Sequence, residues 1–133
     1  MDEKPTDRVI DQRLRNRIME AVSTLADGDN GVRREWPDEY FEMFYDQIPH
    51  RQDGNMRPNS AITPREKQHL LEVSAILDDA CDATPQNMIP DQFIETGWPK
   101  RIQPIAQRAL EVLLERGRFA ENREEDEPPQ SGT

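Results

Sequence analysis

An all-α fold, a compact bundle of about five helices with one of them short, is predicted for this chain of 133 residues. Three observations predict it. Apolar residues recur at three- and four-residue spacing in separate segments, the pattern of helices that each bury one face. No segment alternates apolar and polar residues in the sustained way that marks a half-buried strand. Helix-start chemistry (a Thr or Asp cap, Pro at a first helical position, one capping box) stands at the openings of the periodic stretches.

Residues 8–26 form the first predicted helix, with Ile10, Leu14, Ile18, Ala21, Val22 and Leu25 on one face. Thr6 or Asp7 caps its start, and Gly28 within Asp27-Gly28-Asp29-Asn30-Gly31 ends it. A second helix opens at Pro37, whose missing N–H would be unpaired at the first helical position in any case. It stops near Gln47, before Pro49. Residues 50–62 then read as a long polar loop, with only Met56 and Ile62 as sizeable apolar side chains.

Thr63-Pro64-Arg65-Glu66 is a capping box, in which the Thr63 hydroxyl accepts from the backbone at Glu66 and the Glu66 carboxylate reaches back. The helix it opens carries Leu70, Val73, Ser74, Leu77, Ala80 and Cys81 on one face and ends near Ala83. Two turns follow from Pro90 to Thr96, closed by Gly97. Pro104 opens the last helix, which runs to about Arg116 with Ile105, Ala109, Val112 and Leu113 on one side and Gly117 as its terminus. The domain organisation predicted is a flexible N-terminus over 1–7, a helical domain over 8–118 and a disordered acidic tail over 119–133. The tail carries Glu121, Glu124, Glu125, Asp126 and Glu127 and, from Glu121 on, nothing that fills a core.

A weak internal repeat overlies this order. Trp36-Pro37-Asp38-Glu39-Tyr40-Phe41-Glu42 reads against Ile89-Pro90-Asp91-Gln92-Phe93-Ile94-Glu95, and residues 22–27 against 73–78. Ile48-Pro49-His50-Arg51 reads against Trp98-Pro99-Lys100-Arg101. Either the chain holds a duplicated unit, with a pseudo-twofold body and a groove between halves, or Pro-started helices look alike because helix starts share one chemistry.

Composition removes several classes of function. The formal net charge is −10, and Leu, Ile, Val and Phe number only 26 of the 133 residues. No apolar run is long enough to span a bilayer, which takes about 20 residues, so no membrane partner is expected. The net charge disfavours nucleic acid, and the arginines of the first helix (Arg8, Arg13, Arg15 and Arg17) are divided between faces and read as solvated flanks or intramolecular pairs. One cysteine, Cys81, cannot build a disulfide scaffold. The opening residues carry no basic stretch followed by an apolar one, so a cytoplasmic protein is expected. The 14 arginines against 3 lysines point to a bacterial source.

Asp78-Asp79-Ala80-Cys81-Asp82 places Asp78 and Asp82 on one helical face, where carboxylates can bridge Mg²⁺ to a diphosphate. The string resembles the aspartate-rich motif of isoprenoid synthases over five residues, but those enzymes need a helical cavity that 133 residues cannot enclose. Glu66-Lys67-Gln68-His69 has the Glu-x-x-His spacing of di-iron bundles, yet it occurs once and Glu66 is engaged in the cap. His69 reads as a boundary residue, Cys81 as a small core residue, and His50 as a loop residue with no partner that the sequence can place. Nothing here specifies an enzyme, and no cofactor is expected.

The aromatic residues are the anomaly. Trp36, Tyr40, Phe41, Phe44 and Tyr45 are five of the chain's eight, and with Met43 and Ile48 they cover about 200° of their helix, twice the arc of a one-sided surface helix. Two readings fit: the helix lies centrally among the others, or it buries one side within the chain and the other against a partner. The second makes Trp36, Tyr40, Phe41, Phe44, Tyr45 and Ile48 the candidate partner-binding residues of a small acidic interaction or regulatory subunit, bound to another protein or to itself as a homodimer. The alternative function is a metal-dependent hydrolase of phosphorylated small molecules, which requires Asp78, Asp82, Glu39 and Glu42 to converge.

Overall fold

A computed structural model of the chain describes residues 4–36, 38–85 and 87–125. The described residues form six α-helices and no strand: α1 Asp7–Ala26, α2 Asp29–Glu35, α3 Asp38–Tyr45, α4 Pro64–Ala83, α5 Pro90–Glu95 and α6 Trp98–Leu114. The expected all-α bundle is therefore present, with one helix more than the periodicity marks.

Three helix starts, those of α1, α4 and α5, lie where side chains satisfy orphan N–H groups. Thr6 accepts from the Val9 N–H at 3.2 Å. The Thr63–Glu66 capping box closes on both sides, at 3.1 Å and 2.9 Å. Gln92 accepts the Ile89 N–H at the head of α5. The start predicted at Pro37 lies outside the described residues.

Two elements depart from expectation. After Gly28 the chain folds straight into α2, whose sequence DNGVRRE holds one apolar side chain, Val32, fully buried. A Cβ at Gly31 would overlap the Thr24 carbonyl oxygen, so glycine lets α2 lie directly on α1. The last helix begins at Trp98, not at Pro104, which sits inside α6. An interior proline removes one helical hydrogen bond and costs about 3 kcal/mol. The longer helix offsets this by burying Pro99 and Ile102, which extend its apolar stripe through Ala106, Ala109 and Leu113.

α6 packs against both α1 and α4, α1 also carries α2 and α3, and α5 joins α6 and α2. The core at their centre includes Val22, Leu25, Tyr40, Phe44, Leu70, Leu77, Phe93, Ile102 and Leu113. Of the segments read as a repeat, residues 22–27 close α1 whereas 73–78 lie in the middle of α4, and residues 38–42 and 90–95 both fall in helices, α3 and α5. The repeat parts at its third pair, where residues 48–51 are loop and 98–101 are helix.

The N-terminal half of α1 faces the other way from its predicted stripe. Ile10 is exposed and Leu14 half-buried, while Gln12, Arg15 and Asn16 are buried. Arg15, read as a solvated flank or an intramolecular pair, is the second of these and wholly inside. Its guanidinium donates to Glu66 at 2.9 Å, to the Ala61 carbonyl at 3.1 Å, and to the Leu113 and Gly117 carbonyls at 2.9 Å and 3.1 Å. The last two lie at the C-terminal end of α6, where a cation meets the negative end of the helix dipole. Arg116 completes a buried Arg–Glu–Arg triad, donating to both Glu66 oxygens at 2.7 Å and 3.1 Å.

Burial alone would raise the Glu66 carboxyl, but hydrogen bonds from Arg116 and the Thr63 N–H, with the charges of both arginines, hold it below its ordinary 4.5. A carboxyl lowered on folding contributes its full stability above the unfolded value and loses it as pH falls through the folded one. The urea midpoint is therefore expected to decline as pH drops below about 4.5. Glu66→Gln, measured by circular dichroism at stepped pH, should lack that component of the decline.

The predicted tail over 119–133 divides. Phe119 is buried and residues 120–125 lie along α1, so the ordered body continues past the expected limit at 118 to Glu125. Residues 126–133 lie outside the described residues. A tail rich in carboxylates is held because the buried amides of Gln12 and Asn16 take up its backbone, a pairing that hydrophobic periodicity cannot reveal.

Candidate functional site

Trp36 closes α2 in an extended conformation, and its indole N–H donates to the Met88 carbonyl at 3.1 Å, tying the helix to the link before α5. Its ring stacks on Phe93 of α5 with centroids 4.7 Å apart and meets Phe41 edge-on at 5.8 Å. Phe93 also lies 5.7 Å from Tyr40 and 5.5 Å from Phe41. Phe41 stacks along the helix on Tyr45, which in turn faces His50 at 5.8 Å.

The six candidate contact residues separate into two groups. Tyr40, Phe44 and Ile48 are 0%, 1% and 1% exposed and belong to the core, which corrects their expected place on a contact surface. Trp36, Phe41 and Tyr45 are half-buried. The wide apolar arc is thus covered on one side by the core and partly on the other by α5, whose single buried side chain is Phe93. Periodicity does not show which helix lies beside which, so this cover is invisible in the sequence.

Tyr40 carries a cost. Its hydroxyl is buried without a hydrogen-bond partner among the described residues, and burial raises its pKa. Tyr40→Phe removes that unpaired group and is expected to leave stability unchanged or raise it by about 1 kcal/mol, read from the urea midpoint.

Near the half-buried rings, α3 exposes Glu39 and Glu42, the turn after it exposes Asp46, and α5 exposes Asp91 and Glu95. None of these five has an ion-pair partner among the described residues. Ile89, just before α5, is exposed as well, and Ile94 is half-buried.

The aspartate string ends up in a different role from metal binding. Asp78 is buried and accepts the Tyr45 hydroxyl at 2.8 Å and the Arg51 N–H at 3.2 Å. The Arg51 guanidinium donates to Asp79 at 3.0 Å and to Asp82 at 2.6 Å. His50, for which the sequence offered no partner, meets Asp82 at 2.9 Å through Nε2. Its Nδ1 accepts the Gln52 N–H at 3.0 Å, so the ring proton is assigned to Nε2 and neither nitrogen is left to act as a base. The His50 hydrogen bond, followed by that of Arg51, holds the Asp82 carboxyl below its usual range.

Cys81, at the margin rather than in the core, is pushed up by burial and then by Asp82 and Asp78, which keeps it a thiol. The cluster anchors loop 46–53 to the C-terminal end of α4, where Arg51 supplies the positive charge that this acidic helix end lacks. Asp78 and Asp82 are thus engaged by Tyr45, His50 and Arg51, whereas Glu39 and Glu42 lie on the outer side of α3. Among the described residues no three His, Cys, Asp or Glu side chains could together hold a metal ion, which removes the convergence that the hydrolase reading needs.

Of the first-helix arginines, Arg15 is inside, Arg8 and Arg13 hold the C-terminal segment, and Arg17 is exposed. They form no basic stripe for nucleic acid. No helix among the described residues is long and apolar enough to cross a membrane. Comparison with protein-family models, curated proteins and solved structures finds no match to this chain.

Proposed function

We propose that the chain is an interaction protein that binds a basic protein partner through the aromatic strip of α3 and α5. One observation carries this reading: Trp36, Phe41 and Tyr45 remain partly exposed near five exposed carboxylates, on α3, in the turn after it and on α5, that have no ion-pair partner among the described residues. Other surface acids, among them Asp79, Asp82 and Glu115, are paired with arginines. A partner with an amphipathic, lysine- or arginine-rich segment covers the rings and meets the carboxylates, gaining affinity from the first and encounter rate and specificity from the second.

A second copy suits this face less well. A twofold dimer brings the same patch against itself, setting Glu39, Glu42, Asp46, Asp91 and Glu95 against their own copies.

The test follows tryptophan emission in a Trp98→Phe background while the chain is titrated with a short amphipathic Leu/Lys helix. A saturable change is expected. The double reversal Glu39→Lys and Glu42→Lys should weaken it about ten-fold at low salt. The reading falls if no saturable change occurs, or if a scrambled peptide of equal charge binds as well. It also falls if sedimentation shows a dimer that Phe41→Ala dissolves, which makes a second copy the occupant.

A further inference from the structure

The segment after α6 is held in an unusual way. Gly117 turns the chain with φ of +77°, and beyond it no described backbone group pairs with another backbone group. Side chains of α1 take their place. Asn16 brackets Phe119, accepting its N–H at 3.0 Å and donating to its carbonyl at 2.8 Å. One turn earlier, Gln12 donates to the Ala120 and Arg123 carbonyls at 2.7 Å and 2.8 Å and accepts the Glu125 N–H at 2.9 Å. Arg13 reaches the Glu121 carbonyl at 2.7 Å, and Arg8 that of Glu125 at 3.3 Å.

Bidentate amides spaced four residues apart on one helix read a peptide main chain, whatever side chains it carries. Selectivity comes from two further features. The Phe119 ring lies among three guanidiniums, those of Arg15, Arg116 and Arg8 at 4.9, 5.0 and 5.4 Å, a slot for the electron-rich face of an aromatic ring. Asn16 also donates to the Glu121 carboxylate at 2.9 Å, which favours an acidic side chain two places on.

We propose that this face of α1 is a binding site for an extended acidic peptide anchored by one aromatic ring, and that residues 118–125 fill it in cis as an autoinhibitory ligand. Apart from Phe119, the side chains of residues 118–124 are exposed or half-buried, so the segment has one buried side-chain anchor beside its main-chain hydrogen bonds. Release at Gly117 lets water reach Arg15, Glu66 and Arg116, and the recovered hydration of these charges offsets much of what release gives up. A purely apolar anchor site has no such compensation.

The probe is a fluorescein-labelled peptide with the sequence of residues 117–125, titrated into full-length chains. Phe119→Ala, which frees the site, is expected to bind it about ten-fold or more tightly than wild type, where the tethered segment competes at high effective concentration. Adding Gln12→Ala and Asn16→Ala should abolish that gain. Equal binding by wild type and Phe119→Ala, or binding that survives loss of both amides, overturns the proposal.

If Phe119→Ala lacks native helical circular dichroism, amide hydrogen exchange on wild type decides. The Phe119 and Glu125 amides should exchange by local opening at least about ten-fold faster than core amides of α1 and α4. Exchange of all of them only through global unfolding overturns the proposal.

Discussion

Glu66→Ala is expected to destabilise the fold by about 3–5 kcal/mol, the range seen when one partner of a buried ion pair is removed. The variant leaves Arg15 and Arg116 facing each other inside the protein without their shared anion. It also takes away the acceptor for the Thr63 N–H and so opens the capping box, for about 1 kcal/mol more. Against a typical total of about 5–15 kcal/mol, this is a large share. Urea denaturation at neutral pH measures it, and a loss below about 1 kcal/mol would mean that the guanidiniums are hydrated in solution.

Replacing a buried triad wholesale by apolar residues is often neutral or favourable, but a different outcome is expected here. In the triple variant Arg15→Met, Glu66→Leu, Arg116→Met, the carbonyls of Ala61, Leu113 and Gly117 lose their guanidinium donors. At about 1–3 kcal/mol for each buried group left unpaired, the triple variant should remain less stable than wild type.

Phe93→Ala should cost about 3–5 kcal/mol, the usual range for truncating a buried aromatic ring. Phe93 is the only buried side chain of α5, a helix of six residues that is too short to persist without tertiary contacts. Its ring is also the common neighbour of Trp36, Tyr40 and Phe41. Loss of the ring should therefore loosen α5 from the aromatic cluster and shift Trp36 emission to longer wavelength even in the folded population. The half-buried Phe41, truncated to alanine, should cost only about 1–2 kcal/mol. That contrast, read from urea midpoints and emission spectra, separates a core ring from a surface ring. Equal costs at the two positions would mean that α5 does not cover α3.

Local chemistry made much of the fold legible. The Thr63–Glu66 box, the Pro90 start, the Thr6 cap and the periodic faces of α4 and of the C-terminal half of α1 each depend on residues within a turn or two of one another. The α2 helix escaped notice because one valine and a glycine carry its packing, and Pro104 misplaced the start of α6 because a proline favours a first helical position without requiring one. The candidate site was legible only in part. The sequence marked the aromatic arc of residues 36–48, but the division between buried Tyr40 and Phe44 and half-exposed Phe41 and Tyr45 depends on how α3 seats on α1 and α2 and on the Phe93 ring reaching it from α5.

Composition and spacing by themselves determined that this chain is helical, strongly acidic and short of apolar residues, because those properties are sums or short-range repeats along the sequence. Tertiary structure alone decided which charges are inside. Arg15, Glu66 and Arg116 are separated by about 50 residues each, and nothing local distinguishes them from arginines and glutamates that stay in water. Their burial follows from α6 packing between α1 and α4, which brings two guanidiniums, one carboxylate and the free carbonyls of a helix end to one point. The same packing turns the amides of Gln12 and Asn16 toward the segment after Gly117, so residues that read as an acidic tail become part of the folded body.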